Sequence, residues 1–326
     1  MGTMSKTSTP DSRVNGIDYA RAVALAAMIF AHLTHSTGVA GQLLYGFPAA
    51  TFAFLAGISM ELMARRAQAV GGEAVARCRH SFYVRGTLLV VLHVLLVPFA
   101  GDIEVVLLVF GICYLCLATV PHWPTPRLGL MLAGLLVASA ATAALGNIVA
   151  LPAAVFGAPY PVFSWAALMV AGMVAWRVVL HHTWRRWAAV AVAAVALPAV
   201  IAARLHLDTA GANLLVAAIN PNGHTGGLIS VIGECAVAAG VTALCIIISQ
   251  FVPFGCDMGR MPLTVYCAHV ITANGHSGAV FATATVIVAF AFAVLWRSFF
   301  TRGPLEAAMR TIVTRATRTD LPALKH

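Results

Sequence analysis

Long apolar runs recur along the whole chain, and they restrict its fold more than any other feature. Several windows contain about 20 mainly apolar residues, the length that an α-helix needs to cross a bilayer. Of the 326 residues, 60% are hydrophobic and 10% are charged, and the mean hydropathy is +0.89. Soluble domains carry about a quarter charged residues. The chain is therefore predicted to be an all-α integral membrane protein.

Ten of these runs are candidate membrane-spanning helices, and we expect them to form one helix bundle with a polar central path. The bundle would occupy 17–297, between a cytosolic segment (1–16) and a basic, amphipathic cytosolic tail (298–326). The ten predicted spans are approximately 17–37, 44–64, 84–100, 103–121, 128–146, 161–179, 187–203, 227–248, 262–275 and 278–297.

The positions of the basic residues predict how the chain is oriented. With a cytosolic N-terminus, 19 of the 20 Lys and Arg residues fall in inner segments, and only Arg204 falls outside. Cytosolic segments of membrane proteins are enriched in Lys and Arg. We therefore predict a multi-pass protein of the cell membrane with both termini in the cytoplasm. This topology also explains the net charge of +9, so nucleic acid is not a predicted partner.

The first predicted helix carries ionisable side chains along one face. Asp18, Arg21, His32 and His35 follow helical spacing, and the 11 residues from Arg21 to His32 correspond to about 16 Å. Ionisable groups inside a span usually face a cavity and mark a functional path. An interfacial ion pair between Asp18 and Arg21, and histidines satisfied within the core, are the alternative interpretations.

Further ionisable residues fall inside later spans, and their chemistry indicates a reaction at the membrane. His93, Glu234 and His269 lie in the third, eighth and ninth predicted spans. A histidine can take a proton from a hydroxyl or amine near neutral pH. Arginines at the cytosolic side, including Arg21 and Arg85, suit a ligand that carries phosphate.

Four stretches of the sequence resemble the transmembrane acyltransferase superfamily. This superfamily includes heparan-alpha-glucosaminide N-acetyltransferase, the YeiB-like bacterial proteins and the acyltransferase-3 proteins. The first stretch is Arg13-x4-Asp18-x2-Arg21, followed by Met28 and His32, with Ala22 where the family usually has glycine. The others are FPAATFAFLAGISM (47–60), GRMPLTVYCAHV (259–270) and RGPLEAAMR (302–310), the last being most similar to the YeiB-like branch.

The resemblance implies a ten-helix bundle that takes acetyl groups from cytosolic acetyl-CoA and delivers them across the membrane. The acceptor would be a sugar hydroxyl or amine on the far side, and no metal is expected. The implied donor-binding residues are Arg13, Asp18, Arg21, Arg79 and Arg85, with Asp18 orienting the arginines. The predicted catalytic residues are His32, His35 and His269, with Tyr266 as a further member of the site, and the ionisable pattern adds His93 and Glu234. The superfamily patterns leave the choice of general base open between His32 and His35.

The sequence therefore favours a membrane acyltransferase whose partners are acyl-CoA, membrane lipid and a cell-envelope glycan or glycolipid. The alternative is a multi-pass transporter or flippase that uses the same His, Arg and Asp groups as a relay. Transporters often show paired halves, and no such internal repeat is visible here. The sequence is compatible with an oligomer and leaves the acceptor open, although polar residues of the loop 204–226, such as His224, are candidates to contact it.

Overall fold

The structure, a computed structural model, describes residues 14–146, 148–149, 151, 159–207, 209, 213–252 and 256–319. These residues form helices and loops and contain no β-strand. In chain order the helices are α1 (Asn15–Thr34), α2 (Gly38–Leu44), α3 (Phe47–Val70), α4 (Gly72–Leu96), α5 (Leu107–Cys116), α6 (Thr125–Leu145), α7 (Val162–Ala175), α8 (Thr183–His206), α9 (Leu214–Ala218), α10 (Leu228–Ile248), α11 (Asp257–Arg260), α12 (Pro262–Ala273), α13 (Ala279–Phe299) and α14 (Pro304–Thr319).

Eight helical segments of the described chain are long and apolar enough to cross a membrane, which confirms the predicted all-α membrane bundle. Two predicted spans, 103–121 and 262–275, instead contain the shorter helices α5 and α12, of 10 and 12 residues. At 1.5 Å per residue these are about 15 and 18 Å long, against a hydrocarbon core of about 30 Å. The count of ten spans therefore stays a prediction.

The bundle has an inner and an outer set of helices. Half or more of the spanning window is buried in α1, α3, α7 and α10, whereas only 11% is buried in α6 and α13. The inner helices approach one another closely where glycine replaces a side chain. A Cβ on Gly57 of α3 would lie 1.8 Å from the carbonyl oxygen of Met169, so the α3 and α7 backbones are in direct contact there. Small residues allow this kind of close packing between membrane helices.

The bundle has two chemically different ends, which we call the basic end and the cavity end. The basic end is where α1 begins, and it contains Arg21, Arg177 and Arg260. The cavity end is where α1 finishes at Thr34. Both α1 and α14 start at the basic end, and the location of the two chain termini on one side of the membrane stays a prediction. Which side of the membrane this is stays a prediction from the positive-inside rule.

The C-terminal segment that resembles the YeiB-like signature has a structural role. Glu306, in the first turn of α14, accepts hydrogen bonds from the backbone N–H groups of Leu263 and Thr264 at 2.7 and 3.2 Å. It also accepts one from the Thr264 hydroxyl at 2.6 Å. A carboxylate at a helix N-terminus satisfies its free N–H groups and its dipole. Glu306 therefore fixes the start of α12, the helix that carries Tyr266 and His269.

Candidate functional site

A cavity of about 910 Å³ opens at the cavity end of the bundle. It is formed by the end of α1, by α2, and by loop residues that follow α4, precede α7 and α10, and follow α12. Polar and aromatic groups are prominent in its lining, among them His32, Tyr45, Glu104, Tyr160, His224 and Tyr266. A concave site of this size with converging polar groups is suited to a small-molecule substrate.

Two of the predicted catalytic residues meet at the wall of this cavity. Nδ1 of His32 in α1 lies 3.1 Å from Nε2 of His269 in α12. The two rings are nearly parallel, with an angle of 5° between their planes. His269 is only 3% exposed, whereas His32 lines the cavity. The pair therefore consists of one buried histidine and one histidine that a substrate can reach.

The hydrogen bond within the pair restricts the protonation of both rings. One of the two facing nitrogens must carry the hydrogen and the other must accept it. When Nδ1 of His32 donates, its Nε2 has a free lone pair and is able to act as a base. If His32 then gains a proton, the bond to His269 becomes charge-assisted, which stabilises the imidazolium. This tautomer permits general-base catalysis by His32, and it places the hydrogen of His269 on its Nδ1, which is buried without a hydrogen-bond partner.

Tyr266 contributes a hydroxyl to the same cavity. Its oxygen accepts a hydrogen bond from the backbone N–H of Val106 at 3.2 Å, so the phenolic hydrogen is available for another acceptor. Tyr266 precedes His269 by three residues on α12, which places the two side chains on the same helix face. The hydroxyl is therefore a candidate donor to an oxygen of the substrate.

His35 occupies a different position from His32. It is the C-cap residue of α1, in a left-handed conformation with φ of 44°, and its side chain is exposed. It lines the mouth of the cavity beyond the His32–His269 pair. Because the helix ends before His35, the one-face spacing that relates it to His32 in the sequence does not hold in the structure.

His224 forms another part of the cavity wall. Its ring lies edge-on to Tyr45 and Tyr160, with centroid distances of 4.9 and 5.6 Å. Burial lowers the pKa of His224 to about 4, against a weaker opposing effect of its hydrogen bond to the Pro159 carbonyl. His224 is therefore neutral at pH 7 and has one ring nitrogen with a lone pair.

Glu234, predicted as a member of the site, has an arginine and a serine as its partners. Its Oε1 accepts a hydrogen bond from the Ser230 hydroxyl at 3.0 Å and lies 3.6 Å from the guanidinium of Arg204. Arg204 also donates to the carbonyl groups of Tyr45 and Pro221, both at 2.8 Å. Arg204 thus ties together the loops that carry Tyr45 and His224. In the sequence, its position outside the positive-inside pattern was the one signal for this role.

The basic end contains the ion pair of α1 that the sequence offered as the alternative interpretation of Asp18 and Arg21. Arg21 donates to Asp18 at 2.7 Å and to the Ser59 hydroxyl of α3 at 2.6 Å. The second Asp18 oxygen lies 3.6 Å from Arg260. A Cβ on Gly259 would lie 1.7 Å from the Asp18 carbonyl oxygen, so α11 packs directly on α1. Asp18 therefore holds Arg21 and Arg260 together, as the prediction that it orients arginines requires.

The other predicted donor-binding arginines differ from one another in their surroundings and exposure. Arg85 and Arg21 both lie near enough to Tyr114 of α5 for their charges to act on it. The Arg85 Nε is buried and has no hydrogen-bond partner. Arg79 is exposed on α4, and Arg13 lies outside the described residues.

Apolar side chains separate the two ends along α1. Leu25 and Met28 share the face of Asp18 and His32, and they are only 1% and 6% exposed. Met28 forms part of the cavity lining. The cavity therefore reaches down to Met28, and buried side chains lie between it and Arg21.

The structure also contains a buried charge cluster that was not predicted from the sequence. Glu61 of α3 is fully buried and accepts two hydrogen bonds from Arg177, at 2.6 and 2.7 Å, and one from Arg65 at 2.6 Å. Arg177 also donates to the carbonyl groups of Pro121 and Trp123, both at 2.7 Å. It lies in a π-helical turn, Trp176–Leu180, that extends α7. In the sequence, the signal for this cluster was a glutamate inside an apolar run, four residues before an arginine.

His93 lies on α4 and is not part of the lining of the 910 Å³ cavity. Its Nδ1 is buried without a hydrogen-bond partner. Among the described residues, no group of three or more His, Cys, Asp and Glu side chains is placed to hold a metal ion.

Fold and site together define an all-helical, multi-pass membrane protein with a histidine pair at one end of its bundle and clustered arginines at the other. Comparison of the chain with models of known protein families and with curated proteins gives no match. The resemblance to transmembrane acyltransferases therefore stays a prediction that rests on the four motifs.

Proposed function

We propose that the protein is an acyltransferase of the cell membrane. It would move an acetyl or other short acyl group from cytosolic acyl-CoA to a hydroxyl or amine of a cell-envelope glycan or glycolipid on the outer face. The observation that carries this proposal is the 3.1 Å contact between His32 and His269 at the wall of the 910 Å³ cavity. A relay-type transporter uses similar residues, but a hydrogen-bonded histidine pair with one reactive nitrogen facing a large cavity is suited to deprotonating a bound acceptor.

In this proposal His32 is the general base and His269 is a positioning residue. Nε2 of His32 takes the proton of the acceptor hydroxyl or amine as the acceptor attacks the acyl carbon. His269 holds the ring and stabilises its positive charge through the Nδ1 contact. Tyr266 donates its phenolic hydrogen to the oxygen on which negative charge develops. His32 then returns the proton to the leaving group, so the pair is regenerated.

The basic end is the proposed donor site. Acyl-CoA, when bound, supplies the thioester and several phosphate charges. Arg21 and Arg85 both lie near Tyr114, and the partially buried Arg85 has an unused Nε donor, which fits an anionic ligand. The acyl arm must then reach His32 past Met28. A methionine side chain is unbranched and flexible, so it can move aside without a change in the backbone.

Inside-out membrane vesicles provide the test, because they present the cytosolic side to added acetyl-CoA. With radiolabelled acetyl-CoA, we expect label to enter the glycan and lipid fractions, and we expect His32→Ala to reduce this by about 100-fold or more. His269→Gln should reduce it less. His93→Gln is the matched control, a histidine of another spanning helix outside the cavity, and it should behave as wild type.

Binding of the donor is measured separately on purified protein. Arg21→Ala should weaken acetyl-CoA binding by about tenfold, equivalent to about 1.4 kcal/mol. Absence of labelled product with wild type, or equal labelling with His32→Ala, would refute the proposal. Flux of a substrate across the membrane without any acyl donor would favour the transporter alternative.

A further inference from the structure

A second, much smaller cavity shares His224 with the 910 Å³ cavity. Its volume is about 10 Å³, and its lining includes Gly46, Ser164, His224 and Glu234. His224 and Gly46 also line the 910 Å³ cavity. His224 therefore lines both cavities, and the smaller one is also lined by Glu234, the partner of Arg204.

The small cavity has the size and the chemistry of a site for a single water molecule. A cavity volume of about 10–15 Å³ is sufficient for one water, provided that two to four polar groups surround it. The lining supplies a carboxylate, a hydroxyl and an imidazole. The Ser164 hydroxyl donates to the Pro161 carbonyl at 2.7 Å, so its oxygen remains able to accept.

Glu234 and His224 each have a free hydrogen-bond acceptor that a water can use. Both contacts of Glu234, with Ser230 and with Arg204, use Oε1, which leaves Oε2 as an acceptor. His224 donates one ring N–H to the Pro159 carbonyl, and its pKa of about 4 keeps the other nitrogen unprotonated at pH 7. A water has two hydrogens to donate, one for each of these acceptors.

We propose that one buried water occupies the small cavity and bridges Oε2 of Glu234 to the unprotonated ring nitrogen of His224. The bridge connects His224 to the same ion pair that holds the loops of Tyr45 and Pro221 through Arg204. His224 is thereby a positioning residue: the water fixes its ring plane and its tautomer at the cavity wall. This consequence for the reaction rests on the proposed function, whereas the water site itself does not.

The first test of the water site needs no variant. A high-resolution crystal structure of the wild-type protein should show density for one water within hydrogen-bond distance of both Glu234 and His224. In a second measurement, the ¹⁵N signal of the unprotonated His224 nitrogen is identified by its loss in His224→Gln. That signal should move when Ser164→Val fills the cavity, and again in Glu234→Gln, which keeps the shape of the side chain.

Ser81→Val is the matched control, because Ser81 is also buried and also donates to a carbonyl three residues earlier, that of Cys78. It should leave the His224 signal unchanged. No density at the cavity, or a signal that is the same in wild type, Ser164→Val and Glu234→Gln, would overturn the proposal.

A kinetic readout separates the water site from the proposed function. Ser164→Val should raise the KM for the acceptor several-fold and leave kcat unchanged, because His32 and His269 are untouched. If the crystal and NMR results are as expected but wild type transfers no acyl group, the water site stands and the acyltransferase proposal fails.

Discussion

Removal of the Glu61 carboxylate is expected to be among the most destabilising single changes at the basic end. Glu61 is fully buried and receives three hydrogen bonds from Arg177 and Arg65. In Glu61→Ala, Arg177 keeps its carbonyl contacts but loses its counter-charge, while its side chain is only 10% exposed. Breaking a buried ion pair on one side costs about 3–5 kcal/mol, because an uncompensated charge stays buried.

The chain offers a matched control for this change. Glu73 also pairs with an arginine four residues later, Arg77, at 2.7 Å, but the two side chains are 56% and 43% exposed. Exposed pairs of this kind contribute about 0–1 kcal/mol. Glu73→Ala should therefore be close to wild type, and Glu61→Gln, which keeps an acceptor oxygen, should lie between the two.

Thermal unfolding in detergent with a thiol-reactive dye is a suitable assay. Several free cysteines, including Cys113 and Cys245, are buried and become reactive when the bundle opens. We expect the Tm of Glu61→Ala to fall by roughly 5–10 °C and that of Glu73→Ala by about 2 °C or less. Equal midpoints for the two alanine variants would refute the argument that burial determines the contribution of these pairs.

Two further predictions concern close packing and pH. Gly57→Ala should prevent the contact of α3 with α7 and lower the yield of folded protein. Gly129→Ala is the control, because a Cβ there would meet nothing within 4 Å. In a melting assay it should be neutral or slightly stabilising. The folded-state pKa of His224 is lowered from 6.5 to about 4. Between these two pH values the unfolded chain binds a proton at His224 and the folded protein does not, so the stability that is present above pH 6.5 is lost as the pH falls toward 4. His224→Gln should therefore lose less Tm than wild type between pH 7 and 4.5; an equal loss would contradict this assignment.

The sequence was sufficient for the class of fold because apolar run length determines which segments cross a bilayer. It was insufficient for α5 and α12, since hydropathy does not show where a helix ends within an apolar region. The start of α12 is fixed by Glu306, which belongs to another helix. No local sequence pattern contains this long-range contact.

Part of the geometry around the candidate site was predicted from the sequence, and the roles of its residues stay predictions. Helical spacing correctly related Asp18 to Arg21, which are three residues apart and in direct contact. The contact between His32 and His269 joins residues 237 positions apart, so the sequence presented two candidates but not their pairing. His35 was placed on the same face only by assuming that α1 continues, and the left-handed cap at φ 44° ends that face.

The separation of His32 and His269 along the chain has a consequence for how the protein is made. During synthesis α1 enters the membrane with Asp18 already next to Arg21, but the histidine partner of His32 is 237 residues further on. The cap from Glu306 arrives later still. Assembly of the histidine pair is therefore one of the last steps of biogenesis, and a nascent chain that stops before α12 cannot carry a completed site.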